Sequence, residues 1–142
     1  MSSESLQKYE FKQSLERIKN HRGHATELVS LYIPPDRKIH EVQAYLRNEA
    51  SQSANIKSKS TRKNVSAAIE SIMSRLKMYK NPPENGMVFF VGHVAKGGNQ
   101  TTMVQEVVVP PEPVAAFLYR CDSGFFLEPL EALGETKTQF GL

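Results

Sequence analysis

Residues Gly86 to Val109 read GMVFFVGHVAKGGNQTTMVQEVVV, and the fold turns on this stretch. Gly86-Met-Val-Phe-Phe-Val-Gly-His-Val94 and Thr101-Thr-Met-Val-Gln-Glu-Val-Val-Val109 are dense in β-branched and aromatic side chains, which suit a pleated surface. Lys96-Gly-Gly-Asn99 between them supplies residues that tolerate positive φ, so the pair predicts an antiparallel hairpin. A third such run, Val114-Ala-Ala-Phe-Leu-Tyr-Arg-Cys121, follows. A fourth, Leu28-Val-Ser-Leu-Tyr-Ile33, stands upstream and is stopped by Pro34-Pro35, which lack the N–H a ladder needs.

Outside these runs the period is helical. Leu6, Tyr9, Leu15 and Ile18 predict a first helix that ends before the turn signal Arg22-Gly23. Asp36 is placed to cap a second helix in which Ile39, Val42, Tyr45 and Leu46 share a face as far as about Ala50. The small polar stretch Ser51-Gln-Ser-Ala-Asn-Ile-Lys-Ser-Lys-Ser60 reads as a connector, after which Ser60 or Thr61 caps a third helix. Val65, Ile69, Ile72, Met73, Leu76 and Tyr79 repeat along that helix at three and four residues. Helices collected early and strands late predict an α+β fold: a mostly antiparallel four-stranded sheet with helices packed on it. A helical hairpin carries Asn55-Ile-Lys-Ser58 at its tip. Residues 1–133 form one domain, and Gly134-Glu-Thr-Lys-Thr-Gln-Phe-Gly-Leu142 reads as a linker and the opening of another strand, as in a domain cut from a longer protein.

Composition narrows the class. The 142 residues are 39% hydrophobic and 23% charged, with no apolar run near membrane-span length. A single cysteine excludes an intramolecular disulfide, and the four histidines and that cysteine lack zinc-ligand spacing, so no metal and no cofactor is expected. The N-terminus does not resemble a signal peptide, which points to the cytoplasm. The net charge of +3 conceals a strong asymmetry: Asn55 to Lys80 holds seven basic residues (Lys57, Lys59, Arg62, Lys63, Arg75, Lys77, Lys80) against Glu70, whereas Asn81 to Leu142 sums to −4. A concentrated positive patch attracts a polyanion, and nucleic acid is the commonest one; a solvated helix face explains the same charges without a ligand.

A search for catalytic groups finds little. Cys121 lacks a local nucleophile signature and reads as a buried strand cysteine, although His24 or His93 could lie near it in space. Lys96-Gly-Gly-Asn-Gln100 lacks phosphate-loop spacing and is explained by its turn. Glu49 is a solvated helix end or a partner for a neighbouring lysine. Asn55-Ile-Lys-Ser58 brings together an amide, an exposed aliphatic, an ammonium and a hydroxyl, groups that touch a base edge and a phosphate at once. One tetrapeptide arises by chance on the order of once in 10^5 positions, so its weight depends on context.

That context is Tyr119-Arg-Cys-Asp-Ser-Gly-Phe125, about sixty residues downstream. The pair resembles the Asn-Ile-Lys-Ser and Tyr-x-Cys-x-x-x-Phe motifs of class I peptide chain release factors of the archaeal and eukaryotic type. Ser30-Leu-Tyr-Ile-Pro-Pro35, Glu49 six residues before Asn55, Arg75-Leu-Lys-Met-Tyr79 and Asn85-Gly-Met-Val match as well, so the resemblance covers nearly the whole chain. It extends to the family's N-terminal domain, with Phe140-Gly-Leu142 similar to the start of the middle domain. The resemblance implies reading of stop codons (UAA, UAG, UGA) of mRNA in the ribosomal A site. Asn55, Ile56, Lys57 and Ser58 meet the first uridine; Tyr119, Cys121 and Phe125 form a cavity wall; Glu49 faces the purines. Lys59, Arg62 and Lys63 on the basic helix hold RNA phosphates of the message or the small subunit. The family's Gly-Thr-Ser or Gly-Thr-Glu loop corresponds to Ala25-Thr-Glu27, which keeps Thr26. The Gly-Gly-Gln tripeptide that promotes peptidyl-tRNA hydrolysis belongs to the middle domain, so this domain is expected to recognise and not to catalyse, as a monomer, its parent acting with a translational GTPase. The competing expectations are an RNA-processing enzyme using Cys121 or Glu49, and a generic domain whose basic helix meets RNA or an acidic partner.

Overall fold

The computed structural model describes residues 3–133. The tail from Gly134 onward, with its expected linker and strand opening, lies outside the described residues. The elements are α1 (Ser3–Lys19), β1 (Leu28–Ile33), α2 (Ile39–Ser53), α3 (Lys59–Leu76), β2 (Met87–Gly97), β3 (Gln100–Val108) and β4 (Leu118–Asp122). Residues 128–133 form a further helical segment.

All six positions of β1 are buried, because β1 lies inside the sheet and both faces of the sheet are covered. The order is β3-β2-β1-β4 and every pair is antiparallel; Leu31 lies opposite Phe89 on one side and Tyr119 on the other. Strand alternation sends Val29, Leu31, Ile33, Phe89 and Val91 to a first core, closed by Val42 and Leu46 of α2 and Val65, Ile69 and Ile72 of α3. It sends Leu28, Tyr32, Val88 and Phe90 to a second core, closed by Leu15 and Ile18 of α1 and by Leu127 and Leu130. This double cover is why Met87 to Val91 reads as an unbroken apolar run instead of an alternation, each large side chain contributing about 1.5–3 kcal/mol by leaving water. The expected α+β layering is present, with a helix on the second face as well as the hairpin on the first.

Several boundaries differ from the sequence expectation, each for a local reason. Asp36 does not cap α2; it sits in a turn closed by the Arg37 N–H on Pro34 O, and the cap is Lys38, whose N–H donates to Glu41 Oε1 at 3.3 Å. The helix runs past Ala50 to Ser53, whose buried hydroxyl donates to Ala50 O at 2.7 Å instead of opening a turn. The third helix is capped by Ser58, whose Oγ accepts from the Thr61 N–H, and not by Ser60 or Thr61. Val114 to Phe117 are not strand: Pro110, Pro111 and Pro113 break the ladder and the Val114 N–H goes to Asn85 O, so β4 starts at Leu118. Leu6 and Tyr9 of α1 are exposed, leaving Leu15 and Ile18 to anchor that helix. Gly86 occupies φ 78° where the chain enters β2; a Cβ there would stand 2.2 Å from Ile33 O.

Candidate nucleic-acid interface

The tip of the α2–α3 hairpin is a short, tightly bonded turn. The Asn55 N–H donates to Gln52 O at 3.0 Å and the Ile56 N–H to Ser53 O at 3.1 Å, carrying the helical winding of α2 one step further. Arg62 then reaches back from α3, its Nη1 donating to Ile56 O at 3.0 Å. Asn55, Lys57 and Ser58 stay exposed, but Ile56 does not: it is half-buried against the first core, which corrects the expectation of an exposed aliphatic. Arg62, expected to meet phosphates, is half-buried and holds the tip, while Lys59 and Lys63 beside it are exposed. Ser58 carries two roles, since its Oγ is the α3 cap and also lies 3.3 Å from Ser60 Oγ.

Across from the hairpin stands the edge strand β4. Tyr119 and Cys121 lie on the sheet face that α2 and α3 cover and pack against the first core. Tyr45 of α2 meets them: its ring is 5.8 Å from Tyr119 at 60° and 5.0 Å from Phe117 at 78°, with the Arg37 guanidinium 4.4 Å above Phe117. One turn further along α2, half-buried Glu49 stands close enough to Tyr45 that, after burial, its charge raises the Tyr45 hydroxyl above its ordinary value. Cys121 Sγ donates to Thr26 O at 3.2 Å, tying the segment before β1 to the edge strand, while the Thr26 side chain is exposed. Next to Thr26, Glu27 is only 3% exposed and accepts from Asn64 Nδ2 of α3 at 3.2 Å. Phe125 departs from this wall: it packs in the second core, on the other side of the sheet, edge-on to Phe90 at 5.5 Å.

Charge divides the site. Burial pushes the Cys121 thiol up to about 11, with Asp122, Glu27 and Glu49 raising it further, and burial also raises the Tyr119 hydroxyl, with Cys121, Glu49 and Tyr45 adding to it. The wall is thus an acidic, half-buried surface that keeps its thiol protonated, the reverse of what a cysteine nucleophile needs. The rim, by contrast, is basic through Lys57, Lys59 and Lys63. Carboxylates accept amino protons, ring faces stack on bases and exposed ammonium groups meet phosphates. Three groups here escaped the sequence reading. Tyr45 belongs to the expected apolar stripe of α2, yet it is 37% exposed; the carboxylate of Glu49 one turn on is the signal the sequence offers. Glu27 and Asn64 pair across 37 residues, and only the acid directly before a fully buried strand hints at it. Among the described residues there is no cluster of three His, Cys, Asp or Glu suited to a metal, and no helix is long and apolar enough to cross a membrane.

A strand-edge wall of Tyr and Cys facing a helical hairpin tipped with Asn-Ile-Lys-Ser is a shape with known relatives. Residues 6–135 match the family model described as eRF1 domain 1, and the chain belongs to that family. It is 60% identical over 142 residues to the peptide chain release factor subunit 1 of Picrophilus torridus, covering 100% of this chain and 35% of that protein. To the protein of the same name from Thermoplasma acidophilum it is 58% identical over 139 residues, covering 98% of this chain and 33% of that one. A solved structure titled as the crystal structure of an archaeal translation termination factor, aRF1, superposes with a TM-score of 0.79 at 38% identity, covering 89% of this chain and 34% of that chain. The chain thus spans about a third of the length of the curated relatives it matches.

Proposed function

We propose that this domain reads stop codons in messenger RNA at the ribosomal A site during translation termination, in the cytoplasm, as the recognition part of a longer release factor. The observation that carries the reading is that Tyr119, Cys121, Tyr45 and Glu49 gather on the hairpin side of the sheet, with the Asn55–Ser58 turn at the end of the same hairpin. In this reading Lys57 and Asn55 complement the carbonyl acceptors and imide donor of the first uridine, whereas the amino group of a cytidine would be repelled by an ammonium. Tyr119 and Tyr45 offer ring faces, a base on such a face being worth about 1–3 kcal/mol. Glu49, beside Tyr45, accepts amino protons of the purines, and Thr26 is hydrogen-bonded to Cys121 of the wall. Lys59 and Lys63 hold backbone phosphates, while Arg62 keeps the tip in shape. Phe125, in the second core, supports the sheet from behind. Hydrolysis of peptidyl-tRNA and partnership with a translational GTPase belong to the parent.

The test is peptide release by a full-length parent on ribosomes programmed with each stop codon or with CAA. Release at stop codons alone, lost at least tenfold in Lys57→Ala and in Tyr119→Ala with the fold intact, is the expected result. Release that ignores the codon or survives both changes removes the tip and the wall from decoding.

A further inference from the structure

The basic residues between Asn55 and Lys80 do not form one surface. α3 is 18 residues long, so at 1.5 Å per residue its ends stand about 27 Å apart. Lys57, Lys59, Arg62 and Lys63 gather at the tip, whereas Lys77 and Lys80 gather at the base, where α2 begins with Lys38 and His40. At that base is an open pocket of about 420 Å³ lined by Lys38, His40, Gln43, Lys77, Tyr79 and Lys80 among others, with no acidic side chain in its lining. The three lysines and His40 are exposed, and Glu41 is turned to the Lys38 N–H at 3.3 Å.

Two further features limit what fits. Tyr79 brings a half-buried ring to the wall, a face for a backbone ribose. Gln43 donates its Nε2 to Met73 O at 3.0 Å, which fixes the amide orientation, and its Oε1 is buried without a hydrogen-bond partner. RNA combines the required groups, with phosphates for the lysines and a ribose for the Tyr79 face; an acidic peptide answers only the lysines through its carboxylates.

We propose that the base of the α2–α3 hairpin is a second RNA-binding site, which grips the backbone of an RNA segment other than the codon. It shares no residue with the tip and requires no stop codon, so it stands or falls independently of the decoding role. The experiment measures binding of the 142-residue chain to a short fluorescein-labelled RNA duplex without stop triplets, by anisotropy across a salt series. The triple variant Lys38→Gln/Lys77→Gln/Lys80→Gln is expected to bind at least tenfold more weakly at low salt. Its log K against log salt slope should flatten by about 2–3, each lost phosphate contact removing roughly 0.9. The matching Lys→Arg triple should retain the wild-type slope. The same loss should appear when Lys57, Lys59 and Lys63 are already changed to Gln, because sites this far apart act additively. An unchanged slope in the Lys→Gln triple, checked for an unaltered melting temperature, overturns the proposal. So does tighter binding of polyglutamate than of RNA, which would assign the base to an acidic protein. Should the triple fail to fold, Lys80→Glu alone, at an exposed position outside any helix or strand, gives the same reading with a smaller slope change.

Discussion

Cys121 is the residue whose environment speaks most directly to chemistry. Burial and three neighbouring carboxylates raise its thiol from 9.0 to about 11, so at neutral pH it is a protonated donor to Thr26 O. Alkylation by iodoacetamide should therefore be slow at pH 7–8 and climb toward a midpoint near pH 11; fast labelling at pH 7 would contradict the burial and restore a nucleophile reading. The linkage has a definite sign. The folded pKa lies above the unfolded one, so this contribution to stability is complete below about pH 9 and fades as pH rises toward 11. Arg62 gives the second residue-scale prediction. Its guanidinium is the strap from α3 to Ile56 O, a hydrogen bond with a charged donor, so Arg62→Ala should cost about 1.5–3 kcal/mol and speed amide exchange at Asn55 to Ser58. Lys63→Ala, one position along and exposed, should stay within about 0.5 kcal/mol.

At the scale of elements, Ser58 is where the observed cap and the proposed recognition role coincide, and the two can be separated by substitution. Ser58→Ala removes the acceptor for the Thr61 N–H and should lower stability by about 1 kcal/mol, whereas Ser58→Asp keeps the cap and should preserve stability in urea denaturation. A matching stability loss in both variants would remove the cap as the cause. The same element shows what sequence can and cannot reveal. Val65, Ile69 and Ile72 mark α3 plainly because burial imposes the 3.6-residue period, yet its cap lies two residues before the nearer expected one, since Ser58, Ser60 and Thr61 all have cap chemistry and only the chain path selects one. β1 matches its expected bounds, Leu28 to Ile33, because Pro34 terminates it sharply. The wall was legible as Tyr119 and Cys121, two apart on one strand and therefore on one face. Phe125 keeps the same parity but was misplaced: β4 ends at Asp122, Gly124 bridges to Arg22, and the chain there passes to the second face. Tyr45 and Glu27 were hidden because their partners, Tyr119 and Asn64, are remote in sequence.

Across the whole molecule the sheet separates the α1 face from the hairpin face that carries the proposed recognition site. The second core, under α1, holds the sheet from behind, whereas the first core is continuous with the hairpin, the tip and the wall. Ile18 and Ile69 are both fully buried, one in each core, so truncating either to Ala removes the same atoms. Each change should cost about 2–5 kcal/mol in the transfer and cavity terms. Their effects on binding should differ. At a temperature where both variants are folded, Ile18→Ala should bind the RNA duplex within about twofold of wild type, since the additive regime holds for remote sites. Ile69→Ala opens a cavity beneath α3, between the tip and the base, and should weaken binding several-fold while raising amide exchange along the hairpin. Equal binding losses in the two variants would mean that the sheet transmits strain from one face to the other, and that the division between a supporting face and a reading face is wrong.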